Sequence, residues 1–515
     1  MLLGGGGLLA ALALTGCRGT AGADGPTPTT APAFVDRDPF TLGVASGDPL
    51  PDGVVLWTRL APDPRAGGGM PDLPVPVGWQ VASDERFRRI VREGVVVAQP
   101  ARAHAVHVEV GDLEPARWYW YRFRVGAYRS AVGRTRTAPA PDSSPGSFAF
   151  AFASCQDWQN GFYTAYHDLA DQDLDLVVHL GDYIYEFGPE GKTRPGAAPG
   201  RIHDGPEPTD LAGYRGRYAQ YKSDPDLQAA HARFPWVVTW DDHEVEDNYA
   251  GEIPQETTSP PGDFVARRAA AYLAYFEHMP LRPSALPGAA GARLYRRLRF
   301  GDLLELNVLD TRQYRDDQPC GDGITDCPGR FDPSRTMTGA EQERWLLDGL
   351  ARSTAKWNVI AQQTVFAQTG LGARFNVDQW DGYVAQRRRI TEFLGGPSGP
   401  VNPVIVSGDL HSSWVNDVRL DYDDPASPTV ATEFVGTSIS SDFTTAIAPV
   451  TAALADHPHV KDFDGDLRGY VVTRVDRHRW TSDFRVVDTV DSPTSAARLR
   501  RSWTVDDGIP GAHPT

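Results

Sequence analysis

The chain reads as an α/β protein whose catalytic part is preceded by a small all-β domain. Three observations predict this. Near-continuous apolar runs alternate with helix-length segments from Ser147 onward, the pattern of strands buried on both faces. Each of those runs ends in a polar cluster. Ahead of them, from about residue 35 to 138, short segments alternate strictly between apolar and polar residues, the period of a half-buried strand.

The chain opens with a segment set apart from the fold. Leu8 to Leu14 is apolar but too short to span a bilayer. Leu14-Thr15-Gly16-Cys17 follows, small residues ahead of a cysteine, so residues 1–16 read as a lipoprotein signal cut before a lipidated Cys17. A plain signal peptide with an incidental cysteine is the alternative. No Arg or Lys precedes the apolar run, as if a basic or twin-arginine segment lay upstream. Residues 17–34, rich in Gly, Ala, Thr and Pro, read as a flexible tether. The expectation is an exported protein, held at a membrane through Cys17 or secreted, and acting as a monomer.

In the all-β part, Val106, Val108 and Val110 alternate with His107 and Glu109. Tyr119, Tyr121, Phe123 and Val125 alternate with Trp118, Trp120, Arg122 and Arg124. A fibronectin-like β-sandwich over 35–138 is the natural reading, with His104 and His107 as surface groups. Thr137 to Gly146 reads as a linker.

The catalytic domain is expected over 147–490. Phe148–Phe152 ends in Ser154-Cys155. Leu174–Leu180 ends in Gly181-Asp182-Tyr183-Ile184-Tyr185-Glu186. Trp236–Trp240 ends in Asp241-Asp242-His243-Glu244. Leu303–Leu309 ends in Asp310-Thr311-Arg312, and Val404–Val406 in Gly408-Asp409-Leu410-His411. Helices are expected at Gly339–Leu350 and Val384–Leu394, and further strands at Gly469–Val475 and Trp480–Val487. The tail, 491–515, holds an Arg-rich segment read as a helix, Ala496–Trp503, placed to cover the active site.

Composition narrows the function. With 67 acidic against 50 Lys and Arg residues the formal charge is −17, which disfavours general nucleic-acid binding. Of four cysteines, Cys17 belongs to the signal, and Cys320 and Cys327 bracket a polar loop that an oxidising compartment would close as a disulfide. Cys155 is left over at a strand end.

In such folds chemistry collects beyond the carboxyl ends of strands. That places Asp182, Asp242, Asp409 and His411 at one edge. Gathering so many hard-to-bury groups is unfavourable unless cations neutralise them, and a two-metal centre is the economical explanation. Singly, each has a bland reading: a strand-end Asp caps a turn, and His179 is a core residue.

The segments quoted above, together with Leu309-Asp310-Thr311-Arg312-Gln313-Tyr314-Arg315, Phe40 to Pro49 and Val55-Leu56-Trp57-Thr58-Arg59, resemble the bacterial alkaline phosphatase D (PhoD) family of metallophosphoesterases. The resemblance implies a four-layer αββα core related to purple acid phosphatases. It implies an exported phosphate mono- or diester hydrolase with Fe³⁺ and Ca²⁺. The ligand chemistry alone would accept Mn²⁺ or Zn²⁺ nearly as well. By motif, Asp182 would bridge the metals and Tyr185 would bind iron. Cys155 would stand where relatives of the fold offer an aspartate. Asp242, Asn248, Asp409 and His411 complete the ligand set. His243 would serve the phosphate, and Arg312 would either hold substrate oxygens or make a structural salt bridge. The expected reaction is in-line attack of a metal-bound hydroxide on phosphorus, with His243 and Asp182 as catalytic groups. The rivals are a phospholipase D-type phosphodiesterase on the same centre and a non-catalytic surface-binding lipoprotein. An oxidoreductase using Cys155 is disfavoured because no dinucleotide-binding Gly motif follows any expected strand.

Overall fold

The computed structural model describes residues 35–190, 201–255, 261–288 and 291–515. The signal, the tether and Cys17 lie outside them. No helix among the described residues is long and apolar enough to cross a membrane.

Two large sheets organise the catalytic part. The first has ten strands, in the order Ile509–Pro514, Ala497–Asp506, Arg479–Val487, Arg468–Asp476, Ser147–Ala153, Leu176–His179, Pro235–Val238, Val44–Leu50, Gly53–Arg59 and Ala105–Val110. The second has seven: Arg296–Phe300, Leu304–Val308, Trp357–Ala361, Pro403–Ser407, Thr429–Val435, Ser413–Arg419 and Val460–Asp464. The middle strands of each sheet run parallel, so their carboxyl ends point the same way.

The alternation of side chains along these strands decides what each face meets. Phe148, Phe150, Phe152, Val178 and Val237 face Leu304, Val308, Val359, Val404 and Phe434, making one apolar cluster between the sheets. Ala151, Ala153, Val177, Trp236 and Val238 point the other way. They pack on residues of the helices Thr164–Ala170, Leu211–Lys222, Pro225–Arg233 and Pro261–His278. Outside the second sheet, Ile360 and Ile405 meet Leu346, Leu350, Ile390 and Leu394 of the helices Gly339–Arg352 and Val384–Leu394. Each such large apolar side chain contributes about 1.5–3 kcal/mol on burial. Local chemistry sets the helix ends: the Asp224 carboxylate accepts from the Asp226 and Leu227 amides, and Pro225 opens the helix.

The N-terminal part is a sandwich, but not a separate one. Its second sheet runs Ile90–Ala98, Val75–Ala82, Trp118–Val125 and Tyr128–Arg129, with Gly133–Arg136 paired to Trp118–Val125. Its other three strands, Val44–Leu50, Gly53–Arg59 and Ala105–Val110, continue the ten-stranded sheet. Gly47 pairs with Trp236, and a Cβ at Gly47 would stand 2.5 Å from the Pro280 carbonyl oxygen. That close approach requires glycine. Two histidines read as surface groups are held inside, His107 at this junction and His104 within the N-terminal part. His107 stacks on Phe276 with centroids 4.5 Å apart, and His104 is buried with Nε2 at 2.9 Å from the Leu73 carbonyl.

The C-terminal tail also differs from expectation. Ala497–Asp506 is a strand, not a helix: Trp503 and Val505 alternate inward. Arg500 bonds Asp462 at 2.6 Å and Asp464 at 2.9 Å, tying the tail to the second sheet. The arginines that suggested a helix surface are sheet-edge ion pairs. No described residue of the tail lines the cavity discussed next.

Candidate active site

The loops that follow the parallel strands of both sheets meet around one cavity of 440 Å³. Their close approach is written in glycine and in left-handed backbone. Gly181 has φ +114°, and a Cβ there would lie 2.4 Å from Asp241 Cβ. A Cβ on Gly408 would lie 2.3 Å from Ser154 Oγ. Cys155, Asp182, Asn248, Asp409 and His411 all have positive φ, between 54° and 66°. A non-glycine residue held there costs about 1–3 kcal/mol, and such strain concentrates at functional sites. Buried Glu244 staples two of the loops, accepting from the amides of Asp182 at 3.1 Å, Tyr183 at 2.6 Å and Asp241 at 2.8 Å. Burial pushes its carboxyl up to about 7 against those three bonds.

Three overlapping groups of ligand atoms result. One atom each from Cys155, Asp182 and His411 lies within 4.8 Å of the others; so do those of Asp182, Asp242 and His243, and those of Asp182, Asp241, Asp242 and Asp409. Asp182 is common to all three. Tyr185 joins them, its hydroxyl 3.1 Å from Asp182 Oδ2 and 3.0 Å from His411 Nε2. His411 Nδ1 donates to the Asp442 carbonyl at 2.8 Å, which turns Nε2 toward Tyr185. The Asn248 amide N–H donates to Asp242 at 2.6 Å, and its Nδ2 to Asp322 at 2.8 Å, leaving Oδ1 as its ligand atom. Gln379 donates to Asp409.

Two observations test whether this donor set fits cations. Oδ1 of Asp182 is buried with no hydrogen-bond partner, a costly state for a carboxylate unless a cation takes that oxygen; Oδ1 of Asp242 also lacks a hydrogen bond but faces Arg312 Nη2 at 3.5 Å. The protonation tendencies agree. Burial, then the neighbouring carboxylates, hold the Cys155 thiol and the Asp182 carboxyl well above their usual ranges. Burial and the Asp182 charge do the same to the Tyr185 phenol. Cations would reverse these shifts. The residues fit a metal centre.

His243 stacks on Tyr185, centroids 4.1 Å apart, and Phe187 meets it edge-on at 5.3 Å. Its Nδ1 lies 2.8 Å from Glu186 Oε2, so Nε2 is the nitrogen left for the cavity. Burial lowers its pKa, but Glu186, Asp242 and Asp182 outweigh this and hold it well above the usual value.

Arg312 takes the place of a structural ion-pair partner. It is fully buried, does not line the cavity, and gives both Nη atoms to Asp378 at 2.9 Å and Nε to Asp241. Its Nη2 also stands 3.5 Å from Asp242 and 3.7 Å from Asp409. It neutralises the acidic cluster from beneath and does not reach the cavity. Cys320 and Cys327 form a disulfide that closes the loop carrying the cavity residues Asp322 and Gly323. Sequence reasoning missed Asp241, Asp378 and Glu244 as site-building groups. Asp241 and Glu244 lay inside a quoted motif, whereas Asp378 sits on a loop with no strand-end signature.

An open cavity lined by clustered carboxylates, a phenol and imidazoles, with a buried thiol beside them, is the equipment of a metal-dependent hydrolase. Comparison with known proteins gives the reaction. The model of the PhoD-like phosphatase family matches residues 150–484, and that of the PhoD-like phosphatase N-terminal domain matches residues 27–139. Alkaline phosphatase D of Bacillus subtilis (strain 168) is 51% identical over 473 residues, covering 90% of this chain and 80% of the relative. The solved structure of PhoD superposes with a TM-score of 0.90 at 50% identity, covering 94% of this chain and 93% of that one. The chain belongs to the PhoD-like phosphatase family and is a phosphoric ester hydrolase.

Proposed function

We propose that the protein hydrolyses phosphate mono- or diesters at a multinuclear centre of ferric iron and calcium. In this reading Cys155, Tyr185 and His411 would hold the iron, Asp242, Asn248 and Asp409 would hold calcium, and Asp182 would serve both. A soft thiolate beside a phenolate suits iron, and hard carboxylate and amide oxygens suit calcium. The observation that carries the reading is the sharing of Asp182 by all three ligand groups. When bound, the ions would supply Lewis-acid polarisation of the phosphoryl oxygens and an activated water.

The chain's own residues do the rest. Glu186 accepts from His243 Nδ1–H, and its charge helps keep the imidazole protonated, so the imidazolium Nε2–H would donate to the leaving oxygen the proton that departure requires and be left neutral. Arg312 and Gln379 hold Asp378, Asp241 and Asp409 in place. The stack of Tyr185 on His243 couples the metal side to the proton donor. The two sheets, with helices on both outer faces, support assignment to a four-layer αββα metallophosphoesterase core. The disulfide supports export to an oxidising compartment, with lipidated Cys17 as the anchor and a monomer as the working unit.

The test is Asp182→Asn. Hydrolysis of p-nitrophenyl phosphate is expected to vanish while the circular dichroism spectrum stays unchanged. Retained turnover in a metal-replete preparation would remove Asp182 from the mechanism. Parallel assays on bis(p-nitrophenyl) phosphate and phosphatidylcholine separate monoesterase, diesterase and phospholipase D-type action.

A further inference from the structure

A second pocket, of 160 Å³, lies on the outer side of the second sheet, away from the residues that line the catalytic cavity. The helix Val384–Leu394 forms one wall and the segment Arg419–Asp423 the other. Four arginines line it, Arg330, Arg387, Arg388 and Arg419, in a protein of net charge −17.

Their partners do not satisfy them equally. Arg387 and Arg330 share one buried carboxylate, Asp381, at 2.7 and 3.7 Å. Arg388 pairs with Glu392 at 3.3 Å near the surface. Arg419 has no carboxylate within ion-pair reach among the described residues. Its Nη1 donates to the Pro425 carbonyl at 3.2 Å, and its Nε is buried without a partner. A buried guanidinium N–H left unpaired is costly and normally finds an oxygen. Asp421 and Asp423 also line the pocket and moderate the positive charge. Asp421 already accepts the Asp423 amide N–H at 2.9 Å.

We propose that this pocket is a second oxyanion site, in which Arg419 and Arg388 bind a tetrahedral phosphate group apart from the catalytic centre. Arginine forks match phosphate oxygens in geometry as well as charge. The site does not depend on the metal centre. It has a route to it, because Asp381 shares one short stretch with Asp378, which holds Arg312, and Gln379, which holds Asp409.

The test is equilibrium dialysis of the metal-replete protein against labelled inorganic phosphate, with tungstate-soaked crystals locating the ions. Wild type is expected to bind two per chain. Asp182→Asn is expected to keep the ion in the arginine pocket. Arg419→Gln should weaken that one site by about tenfold or more, since a charge-assisted bond is lost. Arg388→Glu, at an exposed position, serves as the variant that cannot fail by unfolding. A phosphate on a lipid headgroup offers the same oxygens. Sedimentation with phosphatidylglycerol vesicles that is lost in Arg388→Glu would assign the site to headgroups, and binding of free phosphate alone assigns it to the ion. A wild-type protein that binds a single phosphate at the catalytic cavity, shows no tungstate density between Arg388 and Arg419, and ignores the vesicles overturns the proposal.

Discussion

Arg312 gives Nη1 to one carboxylate oxygen of Asp378 and Nη2 to the other, both at 2.9 Å, with Arg312 fully buried and Asp378 at the cavity wall. This paired fork is the counter-charge on which the acidic floor of the cavity rests. Removing one partner of a buried pair leaves an uncompensated charge, at a cost of about 3–5 kcal/mol. Arg312→Gln should therefore unfold at markedly lower temperature and lose activity. By contrast, Arg37→Gln breaks an exposed, solvent-screened pair with Asp63 and should leave the melting temperature almost unchanged. Thermal melts of the two variants check this.

Glu186 and His243 make a second prediction. The carboxylate holds the imidazole protonated to higher pH than usual, so a His243 proton donor remains active into the alkaline range. Glu186→Gln keeps a hydrogen-bond acceptor but removes the charge. The folded-state pKa of His243 then falls, and the alkaline limb of kcat/KM against pH should move to lower pH. An unmoved limb would show that His243 does not supply that proton.

Lys222 is fully buried, its ammonium 4.2 Å from the centre of the Trp57 ring, and burial lowers its pKa from 10.5 to about 7. The folded value is depressed, so between about 7 and 10.5 the unfolded chain binds more protons and stability rises with pH. The gain is present above the unfolded value and lost as pH falls through 7. Lys222→Met should flatten the rise of Tm between pH 7 and pH 10.

Gly181 cannot accept a side chain. Its φ is +114°, and an added Cβ would meet Asp241 Cβ at 2.4 Å and Asp241 N at 2.6 Å. Gly181→Ala should separate the loops of Asp182 and Asp241–Asp242 and reduce kcat by orders of magnitude while leaving the distant N-terminal sheet folded. Kinetics with a near-ultraviolet dichroism spectrum would show it.

Much of this was legible in the sequence, because strand periodicity and strand-end polar clusters are local signals. Phe148–Phe152, Trp236–Trp240 and Val404–Val406 announce buried parallel strands, and their ends announce the site. The positive φ of Asp182, Asp409 and His411 was not legible, since these residue types do not demand that backbone. The role of Arg312 stayed open between substrate and salt bridge because a motif shows which residue is present but not whether its guanidinium faces water or Asp378. The Arg-rich tail resembled a helix surface by composition. Its pairing with Arg479–Val487, and the Asp462 and Asp464 partners of Arg500, arise from distant segments that no local pattern contains. The shared sheet of the N-terminal part was hidden for the same reason: Ser46 pairs with Pro235, far along the chain.

The central claim is that Cys155, Asp182, Tyr185 and His411 enclose one iron ion beside a second cation. The most direct measurement is an anomalous difference map from crystals of active enzyme, recorded on either side of the iron absorption edge. A peak within bonding distance of Cys155 Sγ, Tyr185 Oη and His411 Nε2, absent below the edge, is predicted. Crystals that turn over substrate yet show no iron peak among those atoms would contradict the account.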